Sequence, residues 1–293
     1  MPDTKRKEKP EVSIIGAGRL GTTLAFALAG KGYSIRSLVA RRRSSARKAA
    51  TLLDGDVQAL AAKQLNSLRP ADLFLITTPD DQIPDVAAQL APLAAAKRKP
   101  AALHTSGALS AKALAPLRDR GWHTGSIHPL ISVSDTPEDV AALEGAFWSV
   151  EGDAAALRIG KKIVRDLGGT SFSIRSEDKP LYHAAAVMSA GNVVALFDVA
   201  IEMLVQCGLT RQAAQSILLP LIASTVRNLE TKEPVDALTG TFARGDVETV
   251  KLHLASLKGR KLVDALELYR LLGKRSLELS KNNPQITEML KSV

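Results

Sequence analysis

Over the first 175 residues, short apolar runs alternate with longer stretches in which apolar positions recur every three or four residues. The runs cover residues 12–15, 35–40, 73–77, 100–103, 123–127, 147–150 and 170–174. Their length, and the polar or glycine-containing breaks around them, predict strands, several of them buried on both faces. Helices are expected between them. One begins at Thr22, and one opens at Asp80-Asp81 with Pro84 in its first turn. Another lies near 110–120, and a fourth covers 154–167 and stops at Gly168-Gly169. This alternation is the signature of an α/β domain with a doubly wound parallel sheet. After Ile174 the pattern changes. Ser176-Glu177-Asp178-Lys179-Pro180 opens one long helix that runs to Cys207-Gly208. Thr210 caps the next, which contains Pro220 and is expected to kink there. Asp246 opens a third through Leu257, and a fourth covers 261–280. No strand is expected beyond 176. The expected organisation is an α/β domain over 10–175 followed by an all-α domain over 176–293.

Composition narrows the class. With 293 residues, 45% hydrophobic and 24% charged, the chain is globular and long enough for two domains. Aromatic residues make up only 4%, and Ala and Leu dominate the second half, which points to helices packed through small residues. No apolar run reaches the roughly 18 residues of a membrane span, so no membrane association is expected. Residues 1–10 are polar, lack the apolar core of a secretory signal and read as a disordered lead-in. Cys207 is the single cysteine, which excludes an intramolecular disulfide and a cysteine metal cluster. A cytoplasmic protein is expected.

The net charge of +9 raises the question of nucleic acid. Between Val12 and Leu53 there are eight Lys or Arg (Arg19, Lys31, Arg36, Arg41, Arg42, Arg43, Arg47, Lys48) and no acidic residue, so nearly all the excess sits in one segment. A nucleic-acid surface spreads its basic residues and interleaves aromatics, whereas only Phe26 and Tyr33 lie here. Phosphate of a small cofactor explains the cluster better, and no nucleic-acid partner is expected.

The motif in that segment says which cofactor. Val12-Ser13-Ile14-Ile15 runs into Gly16-Ala17-Gly18-Arg19-Leu20-Gly21, and a helix follows. Strand, three-glycine turn and helix form the dinucleotide fingerprint. The first glycine turns the chain, the second admits the pyrophosphate, the third lets helix and strand pack, and the helix N-terminus offers N–H groups to phosphate. The next strand ends in Ala40 and Arg41-Arg42-Arg43-Ser44, where an NAD-binding chain carries Asp or Glu for the ribose hydroxyl. Guanidinium forks suit a 2′-phosphate, so NADP is expected, held near Arg41 and Arg42 with Ser44 as a hydroxyl donor. The other reading of these arginines is a solvated basic turn. The first domain is therefore expected to be a Rossmann domain, with Thr78 and Pro79 beyond the strand at 73–77 also on the cofactor edge.

Candidate chemistry lies at later strand ends, where open α/β sheets place ligands. His104, Ser106 and Gly107 follow one strand and His128-Pro129 follows another. Hydride transfer to a carbonyl or imine needs a proton donor, a task that fits the ordinary pKa of histidine. His128 is the first candidate. Ser106 could assist it and Gly107 could line the cofactor, while His104 is expected to be structural. A strand-end histidine can also merely bond a loop carbonyl. On the long helix, Lys179 and His183 share a face, whereas His183 and Asn192 lie half a turn apart and cannot line one cleft unless Gly191 breaks the helix. His183 could donate a proton, Lys179 could bind substrate or be solvated in the first turn, and Arg244 could clamp a carboxylate or be an exposed loop charge. Five histidines form no metal-ligand motif, so no metal is expected, and Ser106 lacks a nucleophile elbow.

The fingerprint, the Arg-ended second strand and the helical second half together resemble the 6-phosphogluconate dehydrogenase-like superfamily. That superfamily includes ketopantoate reductases, hydroxyisobutyrate-type dehydrogenases, pyrroline-5-carboxylate reductases and prephenate dehydrogenases. His104-Thr105-Ser106-Gly107, Gly125-Ser126-Ile127-His128-Pro129-Leu130 and Leu238-Thr239-Gly240-Thr241-Phe242-Ala243-Arg244-Gly245-Asp246, followed by His253, resemble one branch in particular. It comprises Rossmann-like NADP oxidoreductases whose helical C-terminal domain has no assigned function. The usual Thr-Gly-Pro of that branch is Thr-Gly-Thr here. The resemblance implies an NADP-dependent oxidoreductase acting on a small keto, hydroxy or imino compound that bears a carboxylate, and a homodimer formed through the helical domain. It also implies catalysis by His128, assisted by Ser106, by likeness to prephenate dehydrogenases. His183 resembles in placement the catalytic lysine of the hydroxyacid dehydrogenases, but lysine is absent there. The competing reading is a non-catalytic NADP-binding sensor or regulatory protein, which needs no proton donor beside the nicotinamide.

Overall fold

A computed structural model describes residues 9–93, 99–133, 138–280 and 283–291, and residues 1–8 of the expected lead-in lie outside them. The first part of the chain runs β1 (Val12–Ile15), α1 (Arg19–Gly30), β2 (Ile35–Ala40), α2 (Arg43–Ala50), β3 (Gln58–Ala61), β4 (Leu73–Ile76), α3 (Ile83–Leu90), β5 (Ala101–His104), α4 (Ala115–Arg118), β6 (His123–Pro129), α5 (Glu138–Ala141), β7 (Phe147–Gly152), α6 (Ala154–Asp166) and β8 (Thr170–Phe172). The strands form one sheet in the order β3-β2-β1-β4-β5-β6-β7-β8. Its first six follow the dinucleotide-binding order 3-2-1-4-5-6. Every neighbouring pair is parallel except β6 and β7, which run antiparallel. Hydropathy carries no information on strand direction, so this reversal was not foreseen. Nor was β3, a short Gln-Ala-Leu-Ala edge strand held by a 3.0 Å hydrogen bond from Ser37 to Gln58.

The period of two in the strands builds two cores. Val12, Ile14, Leu73, Leu75 and Leu103 face one side and pack with Leu24 and Leu28 of α1 and Ile163 and Val164 of α6. Ile15, Phe74, Ile76 and Ala102 face the other and pack with Ile83, Val86 and Leu90 of α3 and with Leu117 and Trp122. The sheet is thus clamped between helices and leaves its carboxyl edge as the place where loops carry polar side chains.

Beyond the sheet the described chain is helical: α7 (Lys179–Ser189), α8 (Gly191–Val205), α9 (Arg211–Thr231), α10 (Pro234–Ala237), α11 (Thr241–Arg244), α12 (Val247–Gly259), α13 (Val263–Leu279) and α14 (Pro284–Lys291). The single long helix expected from 176 is interrupted at Ala190, whose φ of −128° and ψ of −79° leave helical space. Thr210 caps α9 by accepting the N–H of Ala213, and α9 continues through Pro220. Asp246 precedes α12 but makes no side-chain cap, because its carboxylate is bound by Arg244. Strands give way to helices where expected, near 175. The chain nevertheless divides into compact units at Met1–Met188 and Ser189–Val293. The difference is α7, whose first turn is bonded into the sheet.

Within the second unit, Val250, Leu254, Leu277, Ile286 and Leu290 form a small core. Many other apolar side chains are exposed, among them Val194, Leu219, Leu221, Val226 and Leu229. The run Ser176–Val205 has a mean hydropathy of 1.8 in its most apolar window and is apolar enough by composition to cross a membrane. This corrects the expectation that no apolar run is long enough: scattered polar residues interrupt the segment without lowering its average much.

Candidate active site

The register sets out the site. Val39, Ile15, Ile76, His104, Ser126 and Glu151 lie side by side in one row across six strands. Everything that follows this row in the parallel strands projects at the same edge. Gly16, Arg41, Thr77, Ser106 and His128 are therefore neighbours by topology, although they are separated by up to a hundred residues of chain.

At the end of β1 the three glycines have three different surroundings. Gly16 has φ of +112°, and a Cβ there would lie 2.7 Å from the backbone of Thr77 and Thr78. A Cβ on Gly21 would lie 2.2 Å from the Gly16 carbonyl oxygen. Thr77 fastens this packing, its hydroxyl donating to the Gly16 carbonyl at 2.7 Å. Gly18, by contrast, is exposed and would meet nothing nearer than 4.0 Å. The first and third glycines are needed by the fold, and the second leaves space. Arg19 and Leu20 open α1 beside it, and α1 has neither an acidic residue in its first turn nor a side-chain cap. The Thr78 hydroxyl is buried with no partner among the described residues, and Pro79 follows it.

At the end of β2, Arg41, Arg42 and Ser44 are exposed. Among the described residues, neither the Arg41 nor the Arg42 side chain has an ion-pair or hydrogen-bond partner, whereas that of Arg43 donates to the Ala59 carbonyl at 3.1 Å. No carboxylate stands there to take a ribose hydroxyl. An open glycine, an unpartnered buried hydroxyl and two unpaired guanidiniums on one edge fit a dinucleotide with an extra phosphate. A broad polar cleft of about 670 Å³ between α2 and β3, lined partly by Arg43, Arg47 and Arg69, contains none of the histidines.

The candidate proton-transfer groups lie near the ends of β5 and β6. His128, expected just after its strand, lies within β6, which extends to Pro129. Its Nδ1 is 2.7 Å from the Tyr182 hydroxyl, and its ring meets those of Tyr182 and His183 edge-on, with centroids 5.6 and 5.3 Å away. Gly107 lies against both imidazoles: a Cβ there would be 2.3 Å from His183 Nδ1 and 2.9 Å from His128 Nε2. Burial, helped by His183 and Lys179, pushes the His128 pKa down from 6.5 to about 4. Burial also raises Tyr182, so the phenol keeps its proton. It donates to His128 Nδ1, and the single ring proton of the neutral imidazole then sits on Nε2. His183 Nδ1 is buried without a partner among the described residues.

Other candidates have different surroundings from those expected. The Ser106 hydroxyl is committed to its own loop: it donates to Asp80 Oδ2 at 2.8 Å and accepts the N–H groups of Ala108 and Leu109. His104 is structural, as expected. It is fully buried between the Ser110 carbonyl and the Ser106 N–H, with its pKa pushed down by burial to about 4. Lys179 is not solvated. It is 0% exposed, and its Nζ donates to the Ser106 carbonyl at 3.0 Å and to the Ser126 hydroxyl at 2.9 Å, which leaves it no reach toward a substrate. Asn192 and Arg244 belong to the second unit. Asn192 is exposed in the first turn of α8, and the break at Ala190 removes the helical phase that related it to His183. Arg244 is bound to Asp246 at 2.6 Å. Sequence reasoning overlooked Tyr182, Asp80, Ser126 and Thr77. Tyr182 had a signal, standing three residues after Lys179 on the same helical face, but the others act through tertiary hydrogen bonds that no spacing announces. No group of three or more metal-ligating side chains occurs among the described residues.

Two family models match the chain, the second beginning within the sheet just before β7. Residues 2–129 match the model of a Rossmann-like domain, and residues 146–276 match that of a domain of unknown function, DUF2520. Among solved structures it is similar to a candidate NADP oxidoreductase from Bacteroides fragilis, at 25% identity and a TM-score of 0.73, with 92% of this chain and 98% of that one covered. A protein from Thermotoga maritima shares the fold at 24% identity and a TM-score of 0.72, again over 92% and 98%. A pyrroline-5-carboxylate reductase from Streptococcus pyogenes shares it at 18% identity and a TM-score of 0.60, over 87% and 96%. No curated protein matches the chain.

Proposed function

We propose that this Rossmann–DUF2520 protein is an NADP(H)-dependent oxidoreductase acting on a small keto, hydroxy or imino compound that bears a carboxylate. The observation that carries this reading is the placement of the open glycine turn, the unpaired arginines and the His128–Tyr182 pair on one sheet edge. The likeness to the Bacteroides fragilis NADP oxidoreductase candidate supports it. When bound, the nicotinamide supplies or accepts the hydride. Gly18 and the start of α1 hold the pyrophosphate, and Arg41 and Arg42 hold the 2′-phosphate. His128 presents Nε2–H to the substrate oxygen or nitrogen and gives up that proton as the hydride arrives, while Tyr182 replenishes the ring through Nδ1. In the reverse direction the pair must start with the proton on Nδ1 and Tyr182 ionised, so that Nε2 accepts the substrate proton as Nδ1 returns its own to the Tyr182 oxygen. Solvent restores the phenol proton in the forward direction and removes it in the reverse. Because the imidazole is neutral at physiological pH, it acts as a hydrogen-bonding acid rather than as a charged imidazolium. Ser106 shapes the loop instead of sharing the proton.

The helical unit serves as a homodimerisation surface. Val194, Leu219, Leu221, Val226 and Leu229 are each more than half exposed, a larger apolar display than a soluble monomer ordinarily carries. Pairing would cover part of the 176–205 run without a membrane. Single-turnover oxidation of bound NADPH, screened against 2-oxo acids and cyclic imines, tests the enzymatic reading. Oxidation by at least one class is expected. Tight NADPH binding with no oxidation by any of them would favour a sensor.

A further inference from the structure

A fully buried lysine in the first turn of α7 is an expensive feature. Lysine is almost never fully buried unless paired, and the residual cost of burying an ammonium is several kcal/mol. Among the described residues Lys179 has no ion pair. Its Nζ instead bonds the carbonyl of Ser106 and the hydroxyl of Ser126, which itself donates to the Ser106 carbonyl at 3.3 Å. The same loop is held on its far side by Asp80 through the Ser106 hydroxyl. The loop carries Gly107, against which both imidazoles rest, and Tyr182 and His183 stand three and four residues after Lys179 on α7. One ammonium therefore ties together the loop beneath the histidines and the helix that supplies two of the three rings.

We propose that Lys179 is the positioning residue of this site: through the Ser106 carbonyl and the Ser126 hydroxyl it fixes α7 against the Gly107 loop and so aligns Tyr182 and His183 with His128. An apolar side chain would satisfy the packing at less cost. The charge has a second effect, because the ammonium opposes protonation of both His128 and His104. The charged and titratable groups around it are Asp80, which precedes α3, His104 in β5, His128 in β6 and Glu151 in β7. Asp80 and Glu151 favour its proton, and burial brings its pKa down to about 8. His183 and Tyr182 face His128 from α7. The consequence for catalysis rests on the oxidoreductase reading, but the effect on His128 does not.

The test is nuclear magnetic resonance of histidine-labelled protein, with His128 assigned by comparison with His128→Asn. In Lys179→Met, which keeps the length of the side chain and removes the charge, the His128 midpoint should rise measurably from about 4, while burial and His183 keep it below 6.5. An unchanged midpoint in a variant that melts cooperatively would overturn the role. Should Lys179→Met not fold, the wild type answers the question. Between pH 7 and 9.5 the His128 ring signals should move with an inflection at the midpoint of Lys179, followed through labelled lysine. Ring signals that stay flat across that inflection would overturn the proposal. Neither readout requires a substrate, so failure of the oxidoreductase reading would show separately, as absent NADPH oxidation.

Discussion

His128 shows why an imidazole at this edge differs from one in water. Its ring is enclosed by Tyr182, His183 and Gly107, and protonation would place a cation near the Lys179 ammonium. The neutral form wins down to about pH 4, with one nitrogen committed to Tyr182 and the other left for chemistry. Replacing His128 by Asn should leave NADPH affinity intact and lower turnover by about 10²–10⁴-fold, the range of general acid–base contributions. The acid limb of the wild-type profile should lie near pH 4 and vanish in the variant. Near-normal turnover in a well-folded variant would shift the role to His183. At the other end of the sheet edge, the Arg41 guanidinium has no competing partner among the described residues, which suits the proposed phosphate contact. A charge-assisted hydrogen bond contributes about 1.5–3 kcal/mol, so Arg41→Ala should weaken NADPH binding about tenfold or more. NADH binding should barely change, and equal losses for the two cofactors would refute the assignment.

At the scale of the element, the turn between β1 and α1 separates folding from binding by position. Gly21 lies against a backbone oxygen that cannot yield cheaply, so Gly21→Ala should lower the melting temperature, with an overpacking cost of about 1–3 kcal/mol. Gly18 borders open space, so Gly18→Ala should melt like the wild type yet bind NADPH more weakly. Thermal melts paired with fluorescence titration of NADPH distinguish the two. If both variants lost only stability, the turn would have no role in binding. The loop after β5 works differently. Its conformation comes from Asp80, Ser126 and Lys179, three residues on three other segments, so its shape is a property of the assembled sheet edge.

For the whole molecule, two buried neutral histidines tie stability to pH. His104 and His128 each titrate near 4 in the folded protein and near 6.5 once exposed. Between these values the unfolded chain binds more protons, so stability rises with pH across this window and falls as the pH drops from 6.5 toward 4. Each histidine contributes at most about 1.4 kcal/mol per pH unit. Thermal melts should therefore shift down steadily over this range, and His104→Asn should make the dependence shallower. A melting temperature that stays level from pH 6.5 to 4 would contradict the burial of both rings. The exposed apolar faces of α8 and α9 belong to the same scale. Light scattering at micromolar concentration should give the mass of a dimer, and a monomer would contradict the proposed assembly.

Local order was enough for much of this protein. Strands buried on both faces, the glycine turn after Val12-Ser13-Ile14-Ile15, the missing carboxylate after Ala40 and the shift to helices near 175 are written in contiguous residues. Each depends on interactions within a few positions along the chain. The sequence alone therefore determined the fold class and the position of the glycine turn, and it named the two histidines that the structure brings together. What it left undecided depends on contacts between distant segments. β7 reverses against β6, Ala190 interrupts the helix, and Tyr182 rather than Ser106 bonds His128. Lys179, at a position that reads as a solvated first turn, is drawn into the interior. Only the packed sheet edge provides the Ser106 carbonyl and Ser126 hydroxyl that make burying its charge tolerable, and residues 73 and 53 positions away along the chain cannot announce that in any local pattern.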